Sequence, residues 1–364
     1  MQTQYTLIPY ERLLSVVRRI FQSYGFGEAQ SHEITDVLLR ADLFGIESHG
    51  VQRLVRYHRE IHDGWVDIAA EPEILYETPL SAVMDAHHAM GQLVGIQAMR
   101  LAIDKAKRTG AGFVTVRDSN HYGIAAYYTH MAVAQGLIGV CMTNTEAIMV
   151  PTFGKQAMLG TNPIALAMPA DPVPFSFDAA TTVVPRGKLE VYAKRGNGLP
   201  AGWVIDEDGL ETQDPDLVLK NITQKLGGGI LPLGGAGEET SGYKGYGFAM
   251  LCEIFTGVLA GGRTSNHVNT TPGHTNIAHG FYAIDPALFG DPDEIKARFS
   301  LFLQEMRDAG KAMGQSRIYI HGEKEFESMS IRRRDGVPVN AKTHGEIVSI
   351  ARACGVLGED EELL

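Results

Sequence analysis

The chain has 364 residues and a formal net charge of −11, with 32 lysines and arginines against 43 aspartates and glutamates. This acidic balance argues against an extended nucleic-acid surface and against a polybasic membrane patch. The hydrophobic share of 44% and the charged share of 21% are those of an ordinary globular protein. Glycine is the anomaly, because its 41 residues exceed the usual share of ~7%. We therefore expect close approaches of the backbone to a ligand, most obviously a nucleotide.

Cysteine usage and the apolar segments bear on location. Cys141, Cys252 and Cys354 are odd in number, far apart and each set in an apolar run, which favours reduced, packed thiols. The N-terminus has no basic segment followed by an apolar run, so no signal peptide is expected. The most apolar stretch, 246–262, contains Glu253 and is shorter than the ~20 residues of a membrane span. We expect a cytoplasmic protein without membrane or nucleic-acid partners.

The first 65 residues are predicted to be helical, because apolar residues recur at helical spacing. The predicted helices are 13–21, 34–41 and 51–61. Gly25 and Gly45 are expected to follow the ends of the first two helices, and Ser48 is a candidate N-cap of the third.

From residue 74 onward, strands alternate with helices. The predicted elements are helix 91–107, strand 112–116, a helix to 135, strand 137–142, helix 246–259, strand 281–284, helix 293–313 and a last helix that begins with a Thr343–Glu346 capping box. Residues 160–237 are predicted to form short strands with long loops, and 265–278 a loop. The pattern predicts an α/β protein with a layered sheet and a helical N-terminal region.

The usual nucleotide motifs are missing. A single G-x-G-x-x-A match at 196–201 leads into a strand-like run, whereas a dinucleotide turn opens a helix, and no P-loop sequence is present. His58 and His62 are four residues apart, but the intervening residues do not give the H-E-x-x-H pattern. We favour a solvated helix face over a metal site there.

Four polar residues form a possible anion site near the start of the third helix. His49, Arg53 and Tyr57 follow one another in steps of four, directly after Ser48. Arginine can bind a carboxylate with two parallel hydrogen bonds, and tyrosine can add a donor. An exposed polar helix face explains the spacing equally well.

His121 is the strongest single candidate for catalysis. It lies between a predicted strand and a predicted helix, where ligand crevices open in α/β sheets. A histidine suits proton transfer because its ordinary pKa is near neutrality. The alternative is a residue that only helps to begin the helix.

Small and polar clusters could receive a nucleotide. Gly160-Thr161-Asn162-Pro163 and 177–182 allow close backbone approach, although either could be an ordinary turn. Lys244 lies in the glycine-rich stretch 242–247 that opens the apolar helix, and a helix N-terminus attracts anions. We expect a cofactor phosphate there, the alternative being a tightly packed helix entry.

Five motifs follow one another along the chain. They are Ser48-His49-Gly50-Val51-x-Arg53, Ser119-Asn120-His121-x-Gly123, Gly160-Thr161-Asn162-Pro163, Asp178-Ala179-Ala180-Thr181-Thr182 with Gly187-Lys188, and Gly242-Tyr243-Lys244-Gly245-Tyr246-Gly247. As a set, the sequence resembles the malate/L-lactate dehydrogenase family of the non-Rossmann type, over nearly the whole chain. That family is similar to ureidoglycolate, sulfolactate and diketogulonate dehydrogenases and includes cyclic-imine reductases.

The resemblance implies hydride transfer between an NAD(P) cofactor and the C2 carbon of a 2-hydroxy or 2-oxo acid. Malate with oxaloacetate is the first expectation, and NAD is favoured over NADP. It also implies a layered mixed sheet of the non-Rossmann NAD(P)-binding type and a homodimer with its active site near the subunit interface. Lactate, sulfolactate, ureidoglycolate, diketogulonate and cyclic imine acids are alternative substrates. A non-catalytic nucleotide-binding protein is a more distant alternative.

Residue by residue, the resemblance makes His121 the proton-transfer group and His49 its catalytic neighbour. It makes Ser48, Arg53 and Tyr57 substrate-side residues. The implied cofactor-side residues are Thr145, Thr161, Asn162, Asp178, Ala180, Lys244, Gly322 and Glu323, and no metal is implied.

Two departures and a domain division complete the expectations. The family's Asn-x-Gly-His is here Asn276-Ile277-Ala278-His279, and its Pro-Gly-Glu is His321-Gly322-Glu323. We expect residues 1–80 to form the helical part of a substrate and dimerisation domain. Residues 81–290 would form the NAD(P)-binding domain, and 291–364 a segment that returns to the first domain.

Overall fold

A computed structural model describes residues 5–363, which contain eleven α-helices and eleven β-strands. The helices are α1 (Tyr10–Ser23), α2 (Glu28–Leu43), α3 (Leu54–His62), α4 (Gly91–Thr109), α5 (Ala125–Val133), α6 (Arg186–Arg195), α7 (Pro215–Gln224), α8 (Gly242–Glu253), α9 (Pro292–Asp308), α10 (Glu323–Asp335) and α11 (Ala341–Ala353). The strands are β1 (Tyr5–Ile8), β2 (Glu73–Glu77), β3 (Ser81–Asp85), β4 (Ala111–Ser119), β5 (Ile138–Thr143), β6 (Ile164–Met168), β7 (Phe175–Ala179), β8 (Val204–Ile205), β9 (Gly229–Ile230), β10 (Ile277–Ile284) and β11 (Val337–Asn340).

The central feature is a seven-stranded mixed sheet in the order β2-β3-β4-β10-β5-β6-β7. Only β3 and β4 run parallel within it, while the other neighbours are antiparallel. Strand β10 lies in the middle and is buried along nearly its whole length. The expected α/β fold with a layered mixed sheet is confirmed.

Helices cover the two faces of this sheet. Helices α4 and α5 pack against one face and share an apolar core with β4 and β10. A π-helical segment (Ile254–Val258) continues α8 and packs against β4 and β10. Several candidate site residues lie at the ends of these strands: His121 follows β4, Thr145 follows β5, Thr161 and Asn162 precede β6, and Asp178 and Ala180 lie at the end of β7.

Both ends of the chain meet in a second core. Strand β1 pairs with β11, and apolar residues of α1, α2 and α3 pack with those of α11 in one cluster. Sequence patterns predict neither strand, because each has only four residues and pairs with a segment more than 300 residues away.

The segment 160–237 contains the predicted short strands, β6 to β9, but also two helices that were not predicted. Helices α6 and α7 pack with β8 and β9 around a small core that includes Leu189, Val204 and Val218. The helices were missed because frequent glycine, proline and aspartate favour loops, although here these residues mostly flank the helices. Asp214, for example, caps α7 by accepting hydrogen bonds from two backbone N–H groups.

Several helix boundaries also differ from those predicted. Helix α8 begins at Gly242, four residues before the apolar run, and α9 ends at Asp308 rather than at 313. Helix α11 is capped by Asn340, whose Oδ1 accepts the Thr343 N–H at 3.0 Å, so the predicted Thr343 cap is wrong. Strand β10 begins at Ile277, two residues inside the predicted loop. Sequence analysis missed α10 altogether.

Among the described residues, no helix combines the length and apolar character that a membrane crossing requires.

Candidate active site

The segment between α2 and α3 carries the first candidate residues. It consists of two 3₁₀ turns, Glu47–His49 and Val51–Arg53, joined at Gly50. Ser48 does not cap a helix, as the sequence suggested, because its hydroxyl bonds to Nδ1 of His49 at 3.0 Å. The start of this segment's second turn is instead capped by Asp42, whose Oδ2 accepts the Val51 N–H at 2.7 Å. We call residues 47–53 the substrate turn.

Arg53 is tied back to this turn. Its Nε donates to the Ser48 carbonyl oxygen at 2.6 Å. Within residues 5–363 its two terminal nitrogens have no hydrogen-bond partner, so they are available to a carboxylate. The guanidinium is therefore fixed at one nitrogen while the planar fork remains open to an anion.

His121 follows the end of β4 and lies beside the substrate turn. Its ring stacks with that of His49, with centroids 5.6 Å apart and an interplanar angle of 22°. The Tyr57 hydroxyl lies 2.7 Å from its Nδ1. The structure thus brings together Ser48, His49, Arg53, Tyr57 and His121, which are up to 73 positions apart in the sequence.

The hydrogen bonds of His121 indicate which ring nitrogen could meet a ligand. The Tyr57 hydroxyl and, at 3.4 Å, the backbone N–H of Gly123 both lie at Nδ1. Nδ1 is therefore occupied by protein groups, and Nε2 is the ring nitrogen that could exchange a proton with a ligand.

The electrostatic surroundings favour neutral histidines in the absence of a bound anion. Burial, together with the charges of Arg56 and Arg53 and with neighbouring His49, holds the pKa of His121 well below its usual value. Burial and the same two arginines lower the pKa of His49 to about 4. Two guanidinium groups beside two neutral imidazoles form a site for an anion with hydrogen-bonding oxygen atoms.

A second cluster lies just after β5 and just before β6. The Thr161 N–H donates to Thr145 Oγ1 at 3.0 Å, and the two threonine hydroxyls are 3.3 Å apart. Asn162 is fully buried, and its side-chain nitrogen donates to the Ala249 carbonyl in α8 at 3.2 Å. Thr145, Thr161 and Asn162 are therefore neighbours, and both threonines are partly exposed.

The side chain of Glu253 supports this cluster through hydrogen bonds. Sequence analysis did not propose it as a site residue. Its buried carboxylate accepts the Asn162 side-chain N–H at 2.7 Å and also the Ser265 hydroxyl. A weaker bond of 3.4 Å links it to Asn144, which precedes Thr145. The available signal was a single charged residue inside the apolar stretch 246–262, because a buried carboxylate needs donors around it.

Lys244 lies in the first turn of α8, with an exposed side chain. Gly245 of the same turn packs against the backbone of Leu233, whose N–H donates to the Thr181 carbonyl at 2.8 Å. The neighbouring Thr182 is 3% exposed, and its hydroxyl has no hydrogen-bond partner among the described residues. The start of α8 thus lies near Thr181 and Thr182, and the Thr182 hydroxyl is available to a ligand.

Asp178 connects β7 to the helix that follows His121. Its Oδ2 accepts the Ala126 N–H at 2.9 Å, at the first turn of α5. Burial raises the pKa of this carboxyl to about 6, even though backbone N–H groups at the start of α5 oppose the shift. Ala180 follows β7 and is partly exposed.

Comparison with known proteins identifies the family. The model of the malate/L-lactate dehydrogenase family matches residues 8–348. The chain belongs to this family. It is therefore a dehydrogenase, an enzyme of the class that acts on a CH–OH group.

Three similar proteins illustrate how far the likeness extends. A malate dehydrogenase of Pyrococcus abyssi is 44% identical over 355 residues, which cover 97% of this chain and 96% of that protein. An L-sulfolactate dehydrogenase of Methanothermobacter thermautotrophicus is 35% identical and covers 97% of this chain and 98% of its own. The crystal structure of malate dehydrogenase from Entamoeba histolytica superposes with a TM-score of 0.94 at 32% identity, covering 98% of this chain and all of that one.

In the dehydrogenase, Gly322 and Glu323 lie outside the two clusters described above, and they contact other protein groups. Glu323 accepts hydrogen bonds from Arg307 at 2.6 Å and from Arg317 at 2.9 Å, so both carboxylate oxygens are paired. Gly322 lies against Ser176 of β7. The family's usual proline is His321 here, and its carbonyl accepts the Ser176 N–H at 3.1 Å. A contact of Gly322 or Glu323 with a cofactor stays a prediction.

The second departure from the family pattern is Ala278 in β10, directly before His279, which matches the pattern. His279 is fully buried, and it bonds Thr143 through Nδ1 at 2.8 Å and the Asn120 carbonyl through Nε2 at 3.2 Å. Its ring stacks on Tyr122 with centroids 4.3 Å apart. His279 therefore supports the residues on both sides of His121.

His58 and His62 lie close together, with ring centroids 4.3 Å apart, and the Tyr24 hydroxyl is 2.6 Å from Nδ1 of His58. His62 is exposed. Over residues 5–363, no group of three or more histidine, cysteine or acidic side chains is arranged to hold a metal ion.

Proposed function

We propose that the dehydrogenase interconverts a 2-hydroxy acid and a 2-oxo acid with a nicotinamide cofactor. Malate and oxaloacetate are the first choice because two of the similar proteins are malate dehydrogenases. NAD is favoured over NADP on the family resemblance. The observation that carries the proposal is His121, held by Tyr57 beside His49 and the open guanidinium fork of Arg53.

Arg53 binds and orients the substrate in this proposal. Its terminal nitrogens pair with the C1 carboxylate, which places the C2 carbonyl oxygen towards His121 and His49. Ser48 holds His49 through Nδ1, so the Nε2 of His49 is free to donate to the substrate. A donor aimed at an oxygen that gains negative charge binds more tightly as the reaction proceeds.

His121 transfers the proton through Nε2. In the reduction, the protonated ring breaks its Nε2–H bond while an O–H bond forms on the substrate oxygen, which leaves a neutral ring with its remaining proton on Nδ1. The oxidation reverses these changes. The Tyr57 hydroxyl can donate to Nδ1 or accept from it, so it holds the ring in one orientation in both protonation states. A substrate anion beside Arg53 offsets the positive charge that depresses the pKa of His121, which favours its protonated form when substrate binds.

The residues of the second cluster fit a dinucleotide. The orphaned Thr182 hydroxyl and the partly exposed hydroxyls of Thr145 and Thr161 suit ribose and phosphate oxygens. The first turn of α8 with Lys244 suits a phosphate, because backbone N–H groups and a cation converge there. The proposed cofactor-side residues also include Asp178 and Ala180 at the end of β7, and Asn162, whose buried side chain would hold the segment that carries Thr161. A bound nicotinamide supplies hydride in the reduction and accepts it in the oxidation.

The protein is proposed to act as a homodimer. Residues on successive turns of α8 and the π-helical segment are apolar and between a third and three-fifths exposed, which is unusual for a helix in a monomer. They are Tyr243, Phe248, Met250, Leu251, Ile254, Phe255, Val258 and Leu259. A second copy of the chain is the occupant that the family resemblance implies. The domain division 1–80, 81–290 and 291–364 also stays a proposal, supported by the core that α1–α3 share with α11.

A substrate and cofactor screen tests the proposed function. The purified protein is incubated with NADH or NADPH and with oxaloacetate, pyruvate, sulfopyruvate, a diketo sugar acid or a cyclic imine acid, and nucleotide oxidation is followed by absorbance. We expect the fastest turnover with oxaloacetate and NADH, unchanged by a chelator. Turnover only with the imine acid would assign a reductase of a C=N bond. Nucleotide binding without turnover of any substrate would reject the dehydrogenase reaction.

A further inference from the structure

Asp42 lies near the end of α2, outside the residues proposed to contact the substrate. Its side chain is 2% exposed. Through Oδ2 it accepts the backbone N–H of Val51 at 2.7 Å, the first residue of the second 3₁₀ turn. One buried carboxyl group thus fixes the substrate turn between His49 and Arg53.

Gly50 makes this contact possible. A Cβ atom on Gly50 would lie 2.0 Å from Oδ1 and 2.4 Å from Oδ2 of Asp42, well inside any allowed separation. The backbone of Gly50 has a φ of −85°, which any residue adopts. The need for glycine is therefore a matter of space, since the Asp42 carboxyl group occupies the place where a Cβ atom would lie.

A second tie comes from the C-terminal part of the chain. Arg332 of α10 donates through Nη1 to the Asp42 carbonyl oxygen at 2.7 Å and through Nη2 to Glu47 Oε1 at 3.1 Å. Glu47 begins the substrate turn. The turn is therefore held at its start by Arg332 and at its middle by the Asp42 side chain.

We propose that Asp42, with Gly50 and Arg332, is a positioning residue that sets the geometry of Ser48, His49 and Arg53 for substrate binding. The proposal rests on the function proposed above. Asp42 contacts only protein groups, and it acts through the Val51 N–H and the packing against Gly50. Small displacements of orienting groups are costly in catalysis, because the reacting atoms must be held within a narrow range of distance and angle.

Burial supports the choice of test variants. It raises the pKa of the Asp42 carboxyl to about 8, so the group is largely neutral near pH 7. Asparagine has nearly the same shape and keeps an oxygen acceptor for the Val51 N–H. Alanine removes the acceptor and leaves a buried N–H without its partner.

The kinetic test compares Asp42→Ala with Asp42→Asn and with a matched control, Asp291→Ala. Asp291 caps α9 by accepting the Asp293 N–H at 2.8 Å, far along the chain from the substrate turn. We expect Asp42→Ala to raise the KM for the 2-oxo acid at least tenfold and to leave the nucleotide KM within twofold. In Asp42→Asn, the KM for the 2-oxo acid and the nucleotide KM should both lie within about threefold of the wild-type values. Asp291→Ala should lower the melting temperature without moving either KM.

A double substitution tests the packing against Gly50. Gly50→Ala alone forces its new methyl group into the Asp42 carboxyl and should raise the 2-oxo acid KM as strongly as Asp42→Ala. In the double variant Asp42→Ala/Gly50→Ala the clash is absent, so the second substitution should add little. Fully multiplicative effects would contradict a shared contact.

Hydrogen exchange supplies a readout that does not depend on activity. The Val51 amide should exchange much faster in Asp42→Ala than in the wild type, and at a nearly unchanged rate in Asp42→Asn.

If Asp42→Ala does not fold, Arg332→Gln replaces it and should increase the exchange rates of residues 47–51 in the same way. An unchanged 2-oxo acid KM with only a lower melting temperature would reduce Asp42 to a stability role. If the wild type turns over no 2-oxo or imine acid, the proposed function fails, while slow Val51 exchange lost in Asp42→Ala still establishes the tie.

Discussion

The substrate side and the cofactor side of the candidate site are built in different ways. On the substrate side, Ser48, His49, Tyr57 and His121 are already bonded to one another or to the backbone, and His121 is mostly enclosed. On the cofactor side, Thr161 and Asn162 are bonded too, but Lys244 is exposed, and among the described residues only the Tyr243 ring, 5.8 Å away, lies within cation–π range of its ammonium group. Groups that must be aimed at reacting atoms are fixed before binding, whereas a group that attracts a phosphate works through charge and tolerates freedom. Substitutions on the two sides should therefore differ in size and in the constant they change.

The largest effect is expected from His121→Ala. Loss of the proton-transfer group should lower kcat by ~10²–10⁴-fold, while the nucleotide KM stays close to that of the wild type. Steady-state kinetics with both substrates measure this, and His62→Ala on an exposed helix position is the control. A kcat within a few-fold of the wild type would remove His121 from the mechanism.

Arg53→Met should act next most strongly, and on a different constant. A charge-assisted hydrogen bond contributes ~1.5–3 kcal/mol, so the KM for the 2-oxo acid should rise by roughly 10- to 100-fold. Arg59→Met, an exposed position in α3, the helix that follows Arg53, is the matched control. Equal increases in the KM values for 2-oxo acid and nucleotide would mean that Arg53 does not face the carboxylate.

The rigid substrate side should also be visible in the pH dependence of stability. Burial lowers the pKa of His279 to about 3, while the unfolded chain titrates near 6.5. Between these values the unfolded state binds a proton that the native state excludes. For this group, the free energy of unfolding should therefore decrease by about 1.4 kcal/mol for each unit by which the pH is lowered below 6.5.

Denaturant unfolding between pH 6.5 and 5 measures this slope. In His279→Gln the free energy of unfolding should be lower, but its slope against pH should be smaller by about 1.4 kcal/mol per pH unit, the contribution of one proton. His62→Gln serves as the exposed control. A slope that His279→Gln leaves unchanged would mean that His279 is protonated in the native protein.

The smallest effect is expected from Lys244→Ala. An exposed cation at a helix start contributes ~0.5–1 kcal/mol to anion binding, so the nucleotide KM should rise about two- to fivefold. The increase should shrink at high salt, and the KM for the 2-oxo acid should not move. Lys220→Ala, another exposed lysine, is the control. A tenfold or larger effect would mean that Lys244 is enclosed when nucleotide binds, and would erase the contrast between the two sides.

Much of the candidate site follows from short stretches of sequence. The structure confirms that His121 lies after a strand and before a helix. This position could be predicted because turns between such elements depend on local residues. The neighbourhood of His49 and Arg53 follows from one turn and the helix after it. The supporting residues escaped notice: Glu253 resembles an isolated charge in an apolar helix, and Asp42 resembles an ordinary polar residue of α2.

The reason lies in the partners of these supporting residues. Glu253 is a site residue only because α8 packs its buried face against Asn162 and Ser265. Asp42 holds the substrate turn because the folded chain places the Val51 N–H on its side chain, while Arg332 of α10, 290 positions away, donates to its carbonyl oxygen. Similarly, the glycine-rich segment around α6 and α7 forms helices because it buries apolar residues in a core of its own.

The sequence by itself determined the family, the alternation of helices and strands, and the residue types available for proton transfer and anion binding. These depend on local periodicity, turn chemistry and motif order, which act over a few residues. The tertiary structure decided which groups touch: Tyr57 with His121, Asp42 with Gly50, and Glu253 with Asn162. Such contacts depend on burial, because a polar group removed from water must find its partner wherever the packed chain brings one within about 3 Å.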